Sequence, residues 1–167
     1  MLYLQGGPGF PAPRPLAPTG LIGKALERYR VIFMDQRGTG RSHRIDALSP
    51  AAERTAGHLA LLRQDNIVRD AERLREHLGL EKWSLFGQSF GGFCITAYLS
   101  QAPERVEHAF FTGGIPTLKG ADELYRATFS KLKVRQQRFY REFPWAQGRI
   151  EEIISPVSYT HLTLPTN

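Results

Sequence analysis

The sequence predicts an α/β fold built around a parallel sheet, with helices on both faces. The near-continuous apolar run Tyr29–Met34 is typical of a strand that is covered on both sides, and Val106–Thr112 is predicted as a later strand. A third run, Trp83–Phe86, lies between them, and stretches with helical periodicity separate the three. Because strands and helices alternate along the chain, right-handed crossovers are expected to place helices above and below the sheet.

The stretch Gly87–Gly92 is the strongest functional signal. It reads G-x-S-x-G between the apolar run that ends at Phe86 and a second apolar run, Phe93–Leu99, long enough for a helix. Such a strand–turn–helix, a nucleophile elbow, would hold Ser89 in strained backbone geometry with its hydroxyl exposed as a nucleophile. Gly87 and Gly91 would avoid collisions in the tight turn. An ordinary glycine-rich turn is the alternative, and the flanking strand and helix favour catalysis.

An oxyanion hole would need backbone donors near Ser89. The N–H of Phe90 begins the expected helix and would point toward the developing negative charge. The second candidate is the loop Gln5–Gly9, in which Gly6, Gly7, Pro8 and Gly9 leave backbone N–H groups unobstructed. By itself this loop is a generic turn. Together with the downstream elbow, it is the better candidate for the second donor, which we assign to Gly7.

Length and composition indicate a globular domain or part of one. The chain has 167 residues, of which 41% are hydrophobic, and no apolar run approaches the 18 residues of a membrane span. The single cysteine, Cys94, excludes an internal disulfide and favours a reducing compartment, so a cytoplasmic location is expected. Its thiol is expected to be buried and inert.

The net charge of +6 does not by itself indicate a nucleic-acid partner. The 22 lysines and arginines are mostly interleaved with acidic residues, and the sequence has no helix-turn-helix, zinc-finger or RNP pattern. The excess positive charge is therefore interpreted as solvated surface.

The first half of the chain is expected to contain two strands and two helices. Met1–Leu4 is a short core strand, and its position at the start of the chain suggests that an upstream segment is missing. Thr19 would cap a helix over Leu21–Arg28, which leads into the strand Tyr29–Met34. After a surface loop over His43–Gly57, a helix is expected over Leu62–Leu78. Its apolar face would comprise Ile67, Ala71, Leu74 and Leu78, and Gly79 would end it.

The loop Asp35–Ser42 is a second signature, D-Q-R-G-T-G-R-S. Its glycines allow a tight turn beside the elbow. Asp35, Arg37 and Arg41 are expected to form a fixed ion-pair network with a structural role rather than a catalytic one.

Three motifs together carry a family resemblance: Leu4–Gly9, Asp35–Ser42 and Gly87–Gly92. In order and spacing they resemble the proline iminopeptidase (prolyl aminopeptidase) family of α/β-hydrolases. The resemblance continues through Gly113–Pro116 and Tyr125–Thr128, and so covers nearly all of residues 1–155. Gln5 departs from the pattern, because many relatives carry histidine there. This difference changes a side chain beside the oxyanion loop and leaves the backbone donors in place.

The resemblance implies a serine peptidase that acts on peptides with a free N-terminus and releases the N-terminal residue, typically proline. Ser89 would form an acyl-enzyme while Phe90 N–H and Gly7 N–H hold the oxyanion. No metal or cofactor is implied. Residues 1–116 would be the N-terminal part of the hydrolase core, and residues 117–156, with a helix over Ala121–Phe143, the start of a helical cap. Acidic cap residues would hold the substrate amine, but Glu142, Glu151 and Glu152 match no family motif and fit a solvated helix face.

The triad aspartate and histidine are not expected within this chain. In this fold the order is Ser, Asp, His, and only His108 and His161 follow Ser89. His108 lies too early, in the next expected strand, while His43, His58 and His77 precede the serine and are expected at the surface. A serine without its base retains little activity, so this chain alone is expected to be inactive. It is expected to be an incomplete hydrolase core that belongs to a longer protein.

The C-terminal tail has a different origin in our interpretation. Val157–Thr166 matches, in one reading frame, the translation of a transposase sequencing adaptor, so residues 157–167 are expected to be an assembly artefact. Two alternatives to the peptidase remain open. One is an esterase or amidase of the same fold. The other is a non-catalytic binding protein whose exposed apolar surface is covered by a partner.

Overall fold

A computed structural model describes residues 1–17, 19–117 and 119–162. The chain divides into two compact units, Met1–Pro116 and a second that begins at Thr117. Part of the predicted adaptor tail, residues 163–167, lies outside the described residues, as do the side chains of residues 156–162.

The first unit contains a four-stranded parallel sheet. Its strands are β1 (Leu2–Leu4), β2 (Ile32–Phe33), β3 (Trp83–Gln88) and β4 (Val106–Thr112), in the spatial order β2-β1-β3-β4. Every pairing is parallel. This confirms the predicted α/β fold with a parallel sheet.

Four helices belong to the same unit, together with two short 3₁₀ segments at Ala51–Arg54 and Pro103–Arg105. The helices are α1 (Gly20–Leu26), α2 (Ala56–Ala60), α3 (Gln64–His77) and α4 (Phe90–Gln101).

Three expectations for the first half of the chain were partly wrong. The predicted loop 43–57 contains a 3₁₀ segment and the start of α2, which Thr55 caps by accepting a hydrogen bond from His58 N–H at 3.3 Å. Thr19 does precede α1, but its side chain makes no capping hydrogen bond. The predicted strand Tyr29–Met34 is reduced to Ile32–Phe33, because β1 offers it only two paired positions.

The hydrophobic core lies where α3 and α4 pack beside β1 and β3. Its fully buried members include Leu2, Leu85 and Ile95, each 0% exposed. Burying one such side chain contributes roughly 1.5–3 kcal/mol. Ile67 and Ala71 of α3 are buried as predicted.

The C-terminal end of α3 shows why its predicted apolar face stops early. Leu78 follows the last helical residue and is 41% exposed. Gly79 has φ +65° and donates to Glu76 O, while Leu80 N–H donates to Arg75 O at 3.1 Å. This pattern is that of a Schellman cap, in which glycine takes the left-handed position. The predicted stop at Gly79 is confirmed.

The second unit consists of helices α5 (Ala121–Glu142) and α6 (Trp145–Leu162). The prediction of a helix over Ala121–Phe143 is confirmed to within one residue. Phe143, between the two helices, contacts the rings of Phe139 and Trp145, with ring centroids 5.2 and 6.5 Å away. Among the described residues, no helix is long and apolar enough to cross a membrane.

Candidate active site

Ser89 occupies the turn between β3 and α4 with an unusual backbone. Its φ is +50° and its ψ is −115°, a region that non-glycine residues rarely adopt. The turn is held from both sides: Ser89 N–H donates to Thr112 O of β4 at 2.9 Å, and Ser89 O accepts from Gly92 N–H at 2.9 Å. Strain of this kind persists where surrounding structure fixes it, and it is concentrated at functional sites.

Close backbone packing accounts for the two glycines of the G-x-S-x-G pattern. A Cβ on Gly91 would lie 2.0 Å from the carbonyl oxygen of Leu4, and one on Gly87 would lie 2.5 Å from the backbone of Gly91. Neither position can take a side chain without moving β1, β3 or α4. The elbow therefore packs in close backbone contact with β1 and β3.

A second pair of glycines, which the sequence reasoning did not assign to the site, closes the other side of the turn. A Cβ on Gly92 would lie 1.8 Å from Gly114 O, and one on Gly114 would lie 1.8 Å from Ser89 O. The signal was present in the sequence as the Gly113–Gly114 pair directly after a predicted strand.

The candidate oxyanion loop lies against the elbow. A Cβ on Gly6 would be 3.0 Å from Ser89 Cβ and 2.9 Å from Gln88 O, so only glycine allows the loop to approach this closely. Phe90 is the first residue of α4, and its N–H has no acceptor within the helix. Within the described residues, neither Phe90 N–H nor Gly7 N–H donates to another protein group. Both predicted donors are therefore available to a ligand.

A buried glutamine in the D-Q-R-G loop anchors the candidate oxyanion loop. Gln36 is 3% exposed, and its side-chain amide donates to Gln5 O at 3.0 Å. The backbone carbonyl oxygen of Gln36 accepts a hydrogen bond from Thr39 Oγ1 at 2.7 Å. The sequence reasoning did not assign a role to Gln36.

The predicted ion-pair network around Asp35 was wrong in its partners. Asp35 pairs with Arg14 at 2.8 Å and accepts backbone N–H bonds from Ala12 and Arg41, each at 2.9 Å. Arg41 thus contributes its main chain, not its guanidinium. Burial raises the pKa of Asp35, but the two backbone bonds and Arg14 outweigh it and hold that pKa below its usual value.

Arg37 makes a separate ion pair. Its Nη2 and Nε lie 2.6 and 2.7 Å from the carboxylate oxygens of Asp70 on α3, and its Nη1 donates to Leu61 O at 2.9 Å. This bidentate pair joins the D-Q-R-G loop to α3, so the expected structural role of Arg37 is consistent with its contacts. Asp70 is 33 residues away in sequence, and no local pattern pointed to it.

No described histidine lies in contact with Ser89. His108 Nδ1 is 3.5 Å from Ser84 Oγ, near the start of β3, and the five residues from Ser84 to Ser89 span about 16 Å of strand. Of the upstream histidines, His43 and His77 are exposed and His58 is half-buried. The side chain of His161 lies outside the described residues. Among the side chains that the structure describes, none hydrogen-bonds to Ser89 Oγ.

The glutamates of the second unit fit the solvated-surface interpretation. Glu142 is exposed, Glu151 accepts from Gln147 at 3.1 Å, and Glu152 pairs with Arg149 at 2.6 Å. Each pair lies on one turn of a helix surface.

A cleft of about 390 Å³ is lined by Phe90, one of the two candidate oxyanion donors, and by Pro8 and Gly9 of the candidate oxyanion loop. Apolar side chains, among them Leu59 and Leu62, also line it. In the part of the chain described, no cluster of three histidine, cysteine or acidic side chains is arranged to hold a metal ion.

Comparison with known proteins places these features in a family. The model of the alpha/beta hydrolase fold family matches residues 1–155. A proline iminopeptidase from Aeromonas sobria is 45% identical over 99% of this chain and 40% of its own length. The proline iminopeptidase aneH from Aspergillus aculeatus is 38% identical over 92% of this chain and 37% of its own length. The chain thus spans about two fifths of the length of these two relatives.

Among solved structures, the protein BpoC from Mycobacterium tuberculosis H37Rv superposes with a TM-score of 0.52. It shares 21% identity and covers 81% of this chain and 44% of its own chain, which supports the fold alone. The family match, the parallel sheet and the extended similarity to proline iminopeptidases agree. The chain therefore belongs to the alpha/beta hydrolase fold family.

Proposed function

We propose that the protein to which this chain belongs is a serine peptidase that releases the N-terminal residue, typically proline, from a peptide. The observation that carries the proposal is Ser89 at φ +50° in a glycine-lined elbow, with Gly6 of the candidate oxyanion loop packed against it. The similarity to proteins named proline iminopeptidase supports the substrate class.

In the proposed mechanism, Ser89 Oγ attacks the carbonyl carbon of the scissile amide and the carbonyl oxygen becomes negatively charged. Phe90 N–H and Gly7 N–H donate to this oxygen, each worth about 3 kcal/mol in comparable hydrolases. The general base takes the proton of Ser89 Oγ and passes it to the nitrogen of the scissile amide, so the shortened peptide leaves as a neutral amine and the released residue stays as an ester on Ser89. Water hydrolyses that ester and regenerates the hydroxyl.

The general base in this proposal is a histidine that an aspartate orients. Both residues would lie in the parent protein, outside the 167 residues of this chain. Two facts support the assignment. His108 contacts Ser84, about 16 Å along β3 from Ser89, and the chain order in this fold is Ser, Asp, His. We further propose a cytoplasmic location, on the ground that the only cysteine, Cys94, is a free, buried thiol.

The test is carried out on the full-length parent protein with a proline arylamide as substrate. Wild type is expected to turn over, and Ser89→Ala is expected to lose at least about 10⁴-fold in kcat, as nucleophile removal does in serine hydrolases. Ser100→Ala is the matched control, because Ser100 is exposed on α4 and its hydroxyl bonds only to Thr96 O. Its rate is expected to equal wild type.

Two outcomes would contradict parts of the proposal. Ser89-dependent hydrolysis of short acyl esters without hydrolysis of the arylamide would favour an esterase of the same fold. Robust turnover by the 167-residue chain alone, abolished by Ser89→Ala, would contradict placing the aspartate and histidine outside it.

A further inference from the structure

The hydroxyl of Tyr3 lies between two glutamine side chains. Its oxygen is 2.6 Å from Gln88 Oε1 and 3.0 Å from Gln5 Oε1. A phenol carries one proton, so that proton serves both carboxamide oxygens in turn. Tyr3 is 2% exposed, and water therefore offers little competition for either contact.

The two glutamines belong to the two halves of the candidate active site. Gln88 is the last residue of β3 and is followed directly by Ser89, while Gln5 is followed directly by Gly6. The parallel register pairs Tyr3 with Phe86, two residues before Gln88, which brings the hydroxyl to the end of β3. One hydroxyl thus connects the residue before the nucleophile with the residue before the oxyanion loop.

The phenol ring is held in place by its neighbours. Its centroid is 5.4 Å from the ring of Phe33 on β2 and 5.4 Å from that of Phe86 on β3, the latter edge-on at 83°. Burial raises the pKa of Tyr3, so the hydroxyl keeps its proton across the neutral range. The donor is therefore both fixed and permanently available.

Building on the proposed function, we infer that Tyr3 is a positioning residue: through Gln5 and Gln88 it holds the Gly6–Gly7 oxyanion loop in register with Ser89. Tyr3 itself contacts no reacting atom in this arrangement. The loop has a second anchor, the bond from Gln36 to Gln5 O, so loss of the Tyr3 hydroxyl should loosen the loop without releasing it.

The test compares Tyr3→Phe with Tyr98→Phe in the full-length parent protein. Both substitutions remove one buried phenol hydroxyl and leave the ring. The Tyr98 hydroxyl accepts from Trp83 Nε1 at 3.0 Å and donates to Glu72, at the opposite end of β3 from Ser89. Tyr98→Phe therefore reports the effect of losing a buried hydrogen bond on stability alone.

For Tyr3→Phe we expect kcat on a proline arylamide to fall about tenfold with KM changed less than about twofold. Displacement of an oxyanion donor weakens an interaction made in the transition state, not in substrate binding. Tyr98→Phe is expected to lower the melting temperature while kcat stays at the wild-type value.

A double-mutant cycle tests the route through Gln5. If Tyr3 acts on the loop through Gln5, the kcat losses of Tyr3→Phe and Gln5→Ala should be clearly less than multiplicative when combined. Multiplicative losses would overturn this route, and so would a Tyr3→Phe variant with wild-type kcat. Absence of any Ser89-dependent turnover in wild type would instead overturn the proposed function and this inference with it.

Discussion

The two strands that flank β3 differ sharply in burial. All three residues of β1 are at most 2% exposed, whereas none of the seven residues of β4 is buried, and Phe110 and Phe111 are 43% and 38% exposed. Phe110 and Phe111 are as apolar as the residues of β1, so composition does not explain their exposure. β1 is paired on both edges, by β2 and β3, while β4 is paired only by β3 in the part of the chain described. Position in the sheet therefore decides burial here.

The elbow packs between β1 on one side and the loop that follows β4 on the other. We call these the β1 wall and the Gly114 wall. On one side Gly91 presses on Leu4 of β1, and on the other Gly92 and Ser89 press on Gly114, just beyond β4. The β1 wall is rigid because it is packed on every side. Gly114 is itself buried, but its neighbours Gly113 and Ile115 are exposed, so we expect this wall to shift more easily than the β1 wall.

Substitution of the two glycines should give the largest contrast. Gly91→Ala forces a Cβ to within 2.0 Å of Leu4 O, and we expect the free energy of unfolding to fall by at least about 3 kcal/mol. Gly92→Ala meets Gly114 O at 1.8 Å, but that loop can shift, so a loss of about 1–2 kcal/mol is expected. Urea denaturation measures both.

Gly57→Ala is the control for these variants. No atom lies within 4 Å of a Cβ there, and Gly57 is in α2, so the change should be neutral or stabilising by up to about 1 kcal/mol. A loss for Gly92→Ala equal to that for Gly91→Ala would show that the two walls are equally rigid.

Truncation of large side chains tests the same contrast in the strands themselves. Leu2→Ala on β1 removes a side chain that is 0% exposed, and we expect a loss of about 2–5 kcal/mol in unfolding free energy. Phe110→Ala on β4 removes a larger but 43% exposed side chain, and a loss of about 1 kcal/mol or less is expected. A greater loss at Phe110 would contradict the ranking.

The buried thiol of Cys94, which packs in the same core as β1, should make the free energy of unfolding depend on pH. It belongs to the same buried cluster as Leu2 and Leu4, and burial raises its pKa from 9.0 to about 12. The folded state holds the Cys94 proton more tightly than the unfolded state does. The contribution of the thiol to the free energy of unfolding is therefore complete below pH 9 and is lost as pH rises toward 12. In denaturation series over that window, stability should fall less steeply for Cys94→Ala than for wild type.

The smallest expected effect is in amide hydrogen exchange. Amides of Tyr3 and Leu4 should exchange slowly, at rates set by opening of the sheet, because both edges of β1 are paired. Alternate amides of β4, those on its outer edge, should exchange at least about tenfold faster in the 167-residue chain. Uniform protection along β4 would indicate that its outer edge is covered.

Regular elements with a local cause were predictable from the sequence. β4 was predicted with its observed bounds, and α3 to within two residues, because apolar periodicity and Gly79 are local signals. β2 was predicted too long, because a strand extends only as far as its partner, and β1 is short. The elbow motif placed Ser89 correctly between β3 and α4, with Gly87 near the end of β3 and Gly91 at the start of α4.

Contacts between distant segments were not predictable in the same way. The Arg37–Asp70 pair and the Tyr3–Gln88 contact join residues 33 and 85 positions apart, and only the assembled sheet brings them together. Asp35 shows a further limit: its partners are largely backbone N–H groups, which every residue carries and which no residue type announces.

The two tryptophans make the two units spectroscopically separable. Trp83, at the start of β3, is 3% exposed and has Tyr98 within 6.5 Å, whereas Trp145, at the start of α6, is 70% exposed. Trp83 should therefore emit at shorter wavelength and resist an aqueous quencher such as iodide, and Trp145 should emit at longer wavelength and be quenched readily. A Trp145→Phe variant would leave Trp83 as the single tryptophan, and the red shift of its emission would time the opening of the sheet alone.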